Sequence, residues 1–412
     1  MIVNVECTAD LAATRAALEA LGTISQPTST ERLLEVAEAP GGLSGADLID
    51  AINTVSGVCS CVDPDDAVIS LDAIELVAAQ ATDADRWGLA HISDRLDPAN
   101  YKFDANGAGV LIGNLDTPAD VNLAEFGGRA TKIFDPSPVP NTQTHGTWTL
   151  SLLGGVEYGI AKGATLVNLA GFAGDGSTSV SRLNAGYAAF ADYVEANQFL
   201  AYGLSCSFTV TGNLFPIADP FVANIDRLVA LGVEIYASAG NGDSSNVGFE
   251  LGNGVFPADN VNVITVGAFG SSEAAATFSN YGGNTSIWAP GVAVGAQGPS
   301  GLLVGSGTSG SCPLAAGSGA CAAQAGNADQ RAWLATNAYA NLISGVPIGV
   351  NSAVHKPPVI LTGPVPGVED LTGYDLVLEG GDSSTFYYVF VVDGGDALTS
   401  YSPKHILEGM PR

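Results

Sequence analysis

Between residues 109 and 266 the chain alternates short, nearly unbroken apolar runs with longer stretches of helical spacing. The apolar runs are 109–115, 164–169, 200–206, 233–238 and 261–266, and helical patterns cover 145–153, 180–196 and 225–231. A strand that is apolar on both faces must be covered on both faces. Such strands separated by helices predict a doubly wound, mostly parallel α/β sheet. In that architecture the reactive groups lie beyond the carboxyl ends of the strands.

The rest of the chain keeps a different rhythm. Residues 1–75 predict a small α+β unit, with strands at 2–7, 33–37, 55–62 and 67–71 and helices at 9–21, closed by Gly22, and at 44–52. From 72 to 85 the chain turns to Ala, Asp, Gln and Thr, a linker composition, and residues 76–86 are assigned to it. The main α/β body is expected over 87–345, with a helix near 327–339. A β-rich extension follows over 346–412, with strands at 359–361, 374–378 and 385–392.

Composition narrows the function. With 42 acidic side chains against 14 basic ones, the net charge of −28 repels nucleic-acid backbones and anionic membrane surfaces. No apolar run reaches the length of a membrane span, and no basic, apolar leader of the secretory type is visible in this numbering. Six cysteines are too few to build the fold, and Cys59-Ser-Cys61 is not a CxxC pair. One disulfide from Cys7 to Cys59 or Cys61 is a candidate. With His91, His145, His355 and His405 scattered, no zinc cluster is expected. His355 and His405 are read as surface residues and His91 as structural.

Three polar residues fall at expected element ends. Asp116 closes the run Val110-Leu-Ile-Gly-Asn-Leu115, His145 opens a helix in Thr144-His-Gly-Thr147, and Ser309 sits in Gly305-Ser-Gly-Thr-Ser-Gly310 ahead of Pro313. The proline is read as belonging to the first turn of a helix. In the order Asp, His, Ser they match one of the known chain orders of a serine triad. A serine hydroxyl is a weak nucleophile at neutral pH. His145 would take its proton, and Asp116 would fix the imidazole tautomer and stabilise the imidazolium. The Asn241 amide and the Ser309 backbone N–H are candidate oxyanion donors.

These residues lie among a longer series: Tyr158-Gly-Ile-Ala-Lys162, Gly174-Asp-Gly-Ser177, Ser238-Ala-Gly-Asn241, Phe256-Pro-Ala258, Val266-Gly-Ala268, Phe278-Ser-Asn280, Ala289-Pro-Gly291 and Gly307-Thr-Ser309. From Trp87 to about Ala338 the chain resembles the subtilisin-like serine proteases, closest to their proteinase K branch. The resemblance implies a subtilisin-like fold and a serine endopeptidase acting through Asp116, His145 and Ser309, with Asn241 as oxyanion residue. It implies a substrate-binding role for Ser205, Ser207, Phe208, Ser238, Ala239 and Gly240. It makes residues 1–75 an inhibitory prodomain, an intramolecular partner cut off between about Leu71 and Asp85. It also implies protein or peptide substrates, an extracellular or cell-surface setting and no required cofactor.

The pattern breaks in four places. Pro118 replaces a glycine after Asp116-Thr117, and Gly310-Ser-Cys-Pro-Leu314 follows the nucleophile in place of the usual motif. That second change is followed by Gly317 and Gly319, each costing a helix up to about 1 kcal/mol against alanine. Phe208 and Thr209 stand where glycines would let a peptide lie flat, and are expected to narrow or close the specificity pocket. One family calcium aspartate is missing from Val266-Gly-Ala-Phe-Gly270, which leaves calcium to other acidic positions. Two readings therefore stay open: a zymogen protease, or a catalytically silent subtilisin-fold module that assembles with other subunits through its C-terminal extension. A small-molecule-binding α/β protein is disfavoured, because no G-x-G-x-x-G follows the first strand.

Overall fold

The computed structural model describes residues 105–136, 140–212, 218–243, 245–252, 254–327, 329–350 and 352–353. In the flanks it describes residues 2–7, 18, 20, 22–25, 33–38, 51, 58–62, 67–71, 75–78, 86–92, 374–380, 387–393 and 405–406.

Four N-terminal strands, β1 (Ile2–Cys7), β2 (Gly22–Ser25), β3 (Leu33–Glu38) and β4 (Val58–Val62), form one sheet in the order β2-β3-β1-β4. All three pairings are antiparallel. Gly22, read as a helix stop, instead opens β2. The side chains of Cys7, Cys59 and Cys61, and most of the two helices expected here, lie outside the described residues.

The next two strands leave this sheet. β5 (Ala67–Leu71) and β6 (Glu75–Ala78) each pair with a strand of the larger body. Residues 67–71 are thus a strand, as expected, but not one of the small unit. The stretch read as linker contains a strand, because its partner is supplied from far down the chain.

Helix α1 (Trp87–Ile92) then anchors the chain. Trp87 donates its indole N–H to the Val292 carbonyl at 3.1 Å. His91 is buried against the Phe269 ring, 4.9 Å between centroids, with its Nε2 3.3 Å from Glu273 Oε1. Its role is structural, as its sequence context implies.

The central sheet comprises β7 (Val110–Asp116), β8 (Ala130–Phe134), β9 (Thr165–Ala170), β10 (Ala201–Cys206), β12 (Val233–Ser238), β14 (Val263–Phe269) and β15 (Thr285–Pro290). Its order is β15-β14-β12-β10-β7-β9-β8, and all six pairings are parallel. β7 shows why the apolar runs are unbroken. Val110 and Ile112 face one core with Leu150, Leu153 and Leu314, while Leu111 and Leu115 face the other with Leu183, Phe190 and Ile225. Helix α2 (His145–Gly154) covers the first face, and helices α3 (Val180–Ala196) and α4 (Ala218–Ala230) cover the second.

Between β10 and α4 lies a strand the sequence reading does not contain. β11 (Phe208–Gly212) pairs antiparallel with β5 on one side and with β13 (Val255–Phe256) on the other. A second antiparallel trio joins β16 (Val294–Gly298), β17 (Gly301–Ser306) and β6.

Helix α5 (Thr308–Gln324) is buried from Thr308 to Ala323, so it runs as a core helix along the first face. Its glycines are explained by close packing. A Cβ on Gly319 would lie 1.9 Å from Tyr236 Oη and 2.6 Å from Gln330 Oε1, two atoms that hydrogen-bond each other at 2.8 Å. Gly319→Ala therefore forfeits that bond and strains a buried contact. We expect a loss of about 1–3 kcal/mol despite alanine's better helix propensity, read as a lower urea midpoint.

Helix α6 (Gln330–Asn337) follows, capped by Asp329, whose carboxylate accepts from Ala332 N at 2.8 Å. Residues 359–412 form a separate unit holding β18 (Tyr374–Gly380), β19 (Tyr387–Asp393) and β20 (His405–Ile406) in one antiparallel sheet. His355, the side chain of His405 and the strand expected at 359–361 lie outside the described residues.

Candidate active site

The chain passes from β9 to β10 through α3, on the second face of the sheet; β7 and β10 are neighbours, and the chain leaves β7 towards the β8 edge and β10 towards the β15 edge. This is the crevice in which open α/β sheets place ligands. Leu115 is level with Cys206, and Cys206 with Ala237. The next residues, Asp116, Ser207 and Ser238, therefore share one edge.

Asp116 is fully buried, and its carboxylate is held at both oxygens. Oδ1 accepts from His145 Nδ1 at 2.7 Å and from the Thr117 N–H at 2.6 Å. Oδ2 accepts from Thr149 Oγ1 at 3.0 Å. His145 reaches this position because α2 starts hard against the Asp116 loop: a Cβ on Gly146 would sit 2.1 Å from the Thr117 carbonyl oxygen. Gly146 N–H also donates to Thr117 Oγ1 at 2.8 Å. Only glycine allows that approach. His145 Nε2 is buried and has no hydrogen-bond partner among the described residues.

Ser309 is the second residue of α5. Its hydroxyl donates to the Ser207 carbonyl at 3.0 Å, so no Ser309–His145 hydrogen bond is formed. Pro313 lies inside the helix, one turn later than the sequence reading put it. Having no N–H, it leaves the Ser309 carbonyl, four residues back, without a helical donor. Ser207 Oγ donates there at 3.3 Å. The two serines are thus linked twice, and β10 is tied to the start of α5.

Asn241 is also committed through its oxygen. Thr308 N–H and Thr308 Oγ1 both donate to Asn241 Oδ1 at 2.9 Å, which turns the Nδ2 donors elsewhere. Gly240 N–H donates to Thr308 Oγ1 at 3.1 Å, and Asn280 Nδ2 to the Ala239 carbonyl at 2.8 Å. Ser238 Oγ donates to the Cys206 carbonyl at 3.4 Å. Gly240 and Asn241 are therefore tied to the helix that carries Ser309, while Ser238 and Ala239 are held by Cys206 and Asn280.

The expectation for Phe208 needs correction. Phe208 is fully buried in the second core, its ring edge-on to Phe172 at 5.6 Å, and Thr209 is buried beside it. Phe208 therefore does not line a pocket; Thr209, the next residue of the strand, turns to the opposite face, where its methyl group meets Gly240 of the 238–241 turn. Ser205 is buried as well, its Oγ 3.4 Å from Cys312 Sγ, and so offers no side chain to a ligand. Burial pushes the Cys206 thiol well above its ordinary range. Pro118 keeps a partner for its carbonyl, which accepts from Asn141 Nδ2 at 2.7 Å, and Leu314 is plain core.

A feature the sequence reading missed lies across this edge. Leu71, the last residue of β5, stands opposite Phe208, and Glu75, the first of β6, stands opposite Ser306. Phe208 follows Ser207, and Ser306 precedes Ser309 by three residues. The chain therefore leaves a strand paired beside Ser207 at Leu71 and resumes in one paired beside Ser306 at Glu75; residues 72–74 lie outside the described residues. Among the described residues, no group of three His, Cys, Asp or Glu comes together to hold a metal ion, and no helix is long and apolar enough to cross a membrane.

A family model described as the subtilase family matches residues 94–354. "Subtilisin-like serine protease AsES" of Sarocladium strictum is 32% identical over 240 residues, 56% of this chain and 58% of that protein. "Alkaline serine exoprotease A" of Vibrio alginolyticus is 32% identical over 232 residues, 55% of this chain and 40% of that one. "Subtilisin-like serine protease Pen c 1" of Penicillium citrinum is 32% identical over 275 residues, 63% and 66% of the two chains. The first two matches thus span about half the length of each relative. Among solved structures, a cold-adapted subtilisin-like serine proteinase superposes with a TM-score of 0.58 at 26% identity, covering 66% of this chain and 98% of that one.

Proposed function

The chain belongs to the subtilase family, and from that premise we propose that it is a serine endopeptidase made as a zymogen. The observation that carries the reading is the buried Asp116–His145 pair at 2.7 Å, on the same sheet edge as Ser207, which holds the Ser309 hydroxyl. Asp116 keeps the proton on His145 Nδ1 and leaves Nε2 free to act as base. Ser309 Oγ has only to turn from the Ser207 carbonyl to Nε2, giving up one hydrogen bond worth about 0.5–1.5 kcal/mol. It then attacks the peptide carbonyl while its proton passes to Nε2. The oxyanion forms beside the Ser309 N–H and the Asn241 amide nitrogen, already oriented by Thr308. Nε2 returns the proton to the leaving amine, and water repeats the sequence to free the acid. No metal or cofactor enters these steps.

The pairing of β5 with β11 and of β6 with β17 supports the zymogen part of the proposal. A peptide paired with β11 on its N-terminal side and with β17 on its C-terminal side is held as a substrate would be held. Residues 1–75 then act as an inhibitory partner, and the first bond cut lies within 71–75. Backbone groups of Ser207, Phe208 and the 238–240 turn bind substrate main chain; their side chains do not. The same proposal places the protein outside the cell or at its surface, since a zymogen keeps a hydrolase silent until export.

The hydroxyl turned towards Ser207 favours one alternative, a silent module of the same fold. Intact-mass measurement of the purified chain with a fluorophosphonate separates the two. We expect one adduct on Ser309, either on a chain shortened near residue 75 or on the full chain. A full-length chain that takes no adduct would overturn the protease reading.

A further inference from the structure

Two residues that ordinary core packing would make apolar are polar here. Asn114 lies in β7, every residue of which is buried, and Thr149 lies in the fully buried helix α2. Asn114 and Asp116 are two apart on a strand, and His145 and Thr149 are four apart on a helix, so each pair shares a face. The two faces meet, and the four side chains interlock.

The direction of each bond follows from chemistry. Asn114 lies 3.2 Å from the Gly146 carbonyl, which can only accept, so its amide nitrogen must face that oxygen. The same nitrogen is 3.2 Å from Thr149 Oγ1 and donates its second hydrogen there. Thr149 has one proton to give. Within reach are Asp116 Oδ2 at 3.0 Å, the His145 carbonyl at 3.1 Å, the Gly146 carbonyl at 3.3 Å and Asn114 Oδ1 at 3.5 Å. A helical threonine ordinarily bonds back to the preceding turn. The carboxylate is closer and charged, and a charge-assisted bond is the stronger one. The amide donating to Oγ1 polarises the hydroxyl further in the same direction. This is the only hydrogen bond to Oδ2 among the described residues. Without it the buried carboxylate is held at Oδ1 alone and can turn about its own bond.

We propose that Thr149, itself held by Asn114, is a positioning residue that fixes the Asp116 carboxylate against His145. This rests on the protease reading for its kinetic consequences but not for its geometry.

The test is Thr149→Val, which keeps shape and removes the hydroxyl, beside Thr149→Ser, which keeps the hydroxyl. For peptide hydrolysis we expect kcat about 10- to 100-fold lower in the valine chain with KM within about twofold, and near-parental values in the serine chain. The proton on His145 Nδ1, followed by NMR, should shift or broaden in the valine chain and keep its parental position in the serine chain. That signal needs no turnover. A parent inert towards fluorophosphonates would sink the protease reading and still leave the resonance to judge Thr149. A valine chain with the parental resonance, or with parental kcat, overturns the inference; so does a serine chain as impaired as the valine one. Thr149→Ala carries the same readouts should the valine chain not fold.

Discussion

Ser309→Ala should leave a folded protein whose kcat on peptides is lower by about 10⁶, a magnitude known for subtilisin, a member of the same family, rather than obtained from this chain. The side chain makes one hydrogen bond, to the Ser207 carbonyl, so the thermal midpoint should move little. The loss has a simple origin: the variant lacks the hydroxyl from which His145 Nε2 takes its proton in the proposed mechanism. The same change should stop the first cut, leaving the bond within 71–75 intact in every molecule. Mass spectrometry of the purified variant reads that directly. A variant chain still shortened near residue 75, in the absence of parent enzyme, would assign the cut to another protease.

Asp116→Asn should cost about 10⁴ in kcat, the order known for loss of the aspartate in subtilisin rather than obtained from this chain, with KM almost unchanged, since Asp116 is fully buried and offers nothing to a substrate. The cause here is specific to the bonds present. Oδ1 accepts two N–H groups, from His145 and Thr117, so an asparagine would place its carbonyl oxygen there and its NH₂ towards Thr149. The histidine tautomer would survive, and Thr149 would turn its proton to the His145 carbonyl, 3.1 Å away. What disappears is the negative charge that stabilises the imidazolium when Ser309 gives up its proton. Steady-state kinetics on a peptide substrate checks the split: a variant with raised KM and parental kcat would contradict this account.

The residues Asp116, His145 and Ser309 were legible because each sits where periodicity breaks. An apolar run ends at Asp116, a helix begins at His145, and a glycine-rich turn opens a helix at Ser309. Interior positions were less legible. Phe208 reads as a pocket residue because a short Ser-Phe-Thr-Val-Thr run does not say which face is inward until its partners are known. Those partners, β5 and β13, come from distant parts of the chain, and so does the partner of β6. Gly317 and Gly319 read as helix weaknesses, yet the cost in propensity is offset by a contact no one-dimensional pattern contains. Asn114 and Thr149 did leave a signal. An amide in a fully apolar strand and a hydroxyl one helical turn after the histidine are both costly to bury, and each needs a partner of its own kind.

The pairing of β5 with β11 and of β6 with β17 has a kinetic meaning. The peptide between Leu71 and Glu75 belongs to the same chain as Ser309, so on the zymogen proposal it meets the nucleophile at an effective concentration that dilution cannot change. The first cut is then expected to be unimolecular, with a half-life independent of how much protein is present. Every later substrate must arrive by collision.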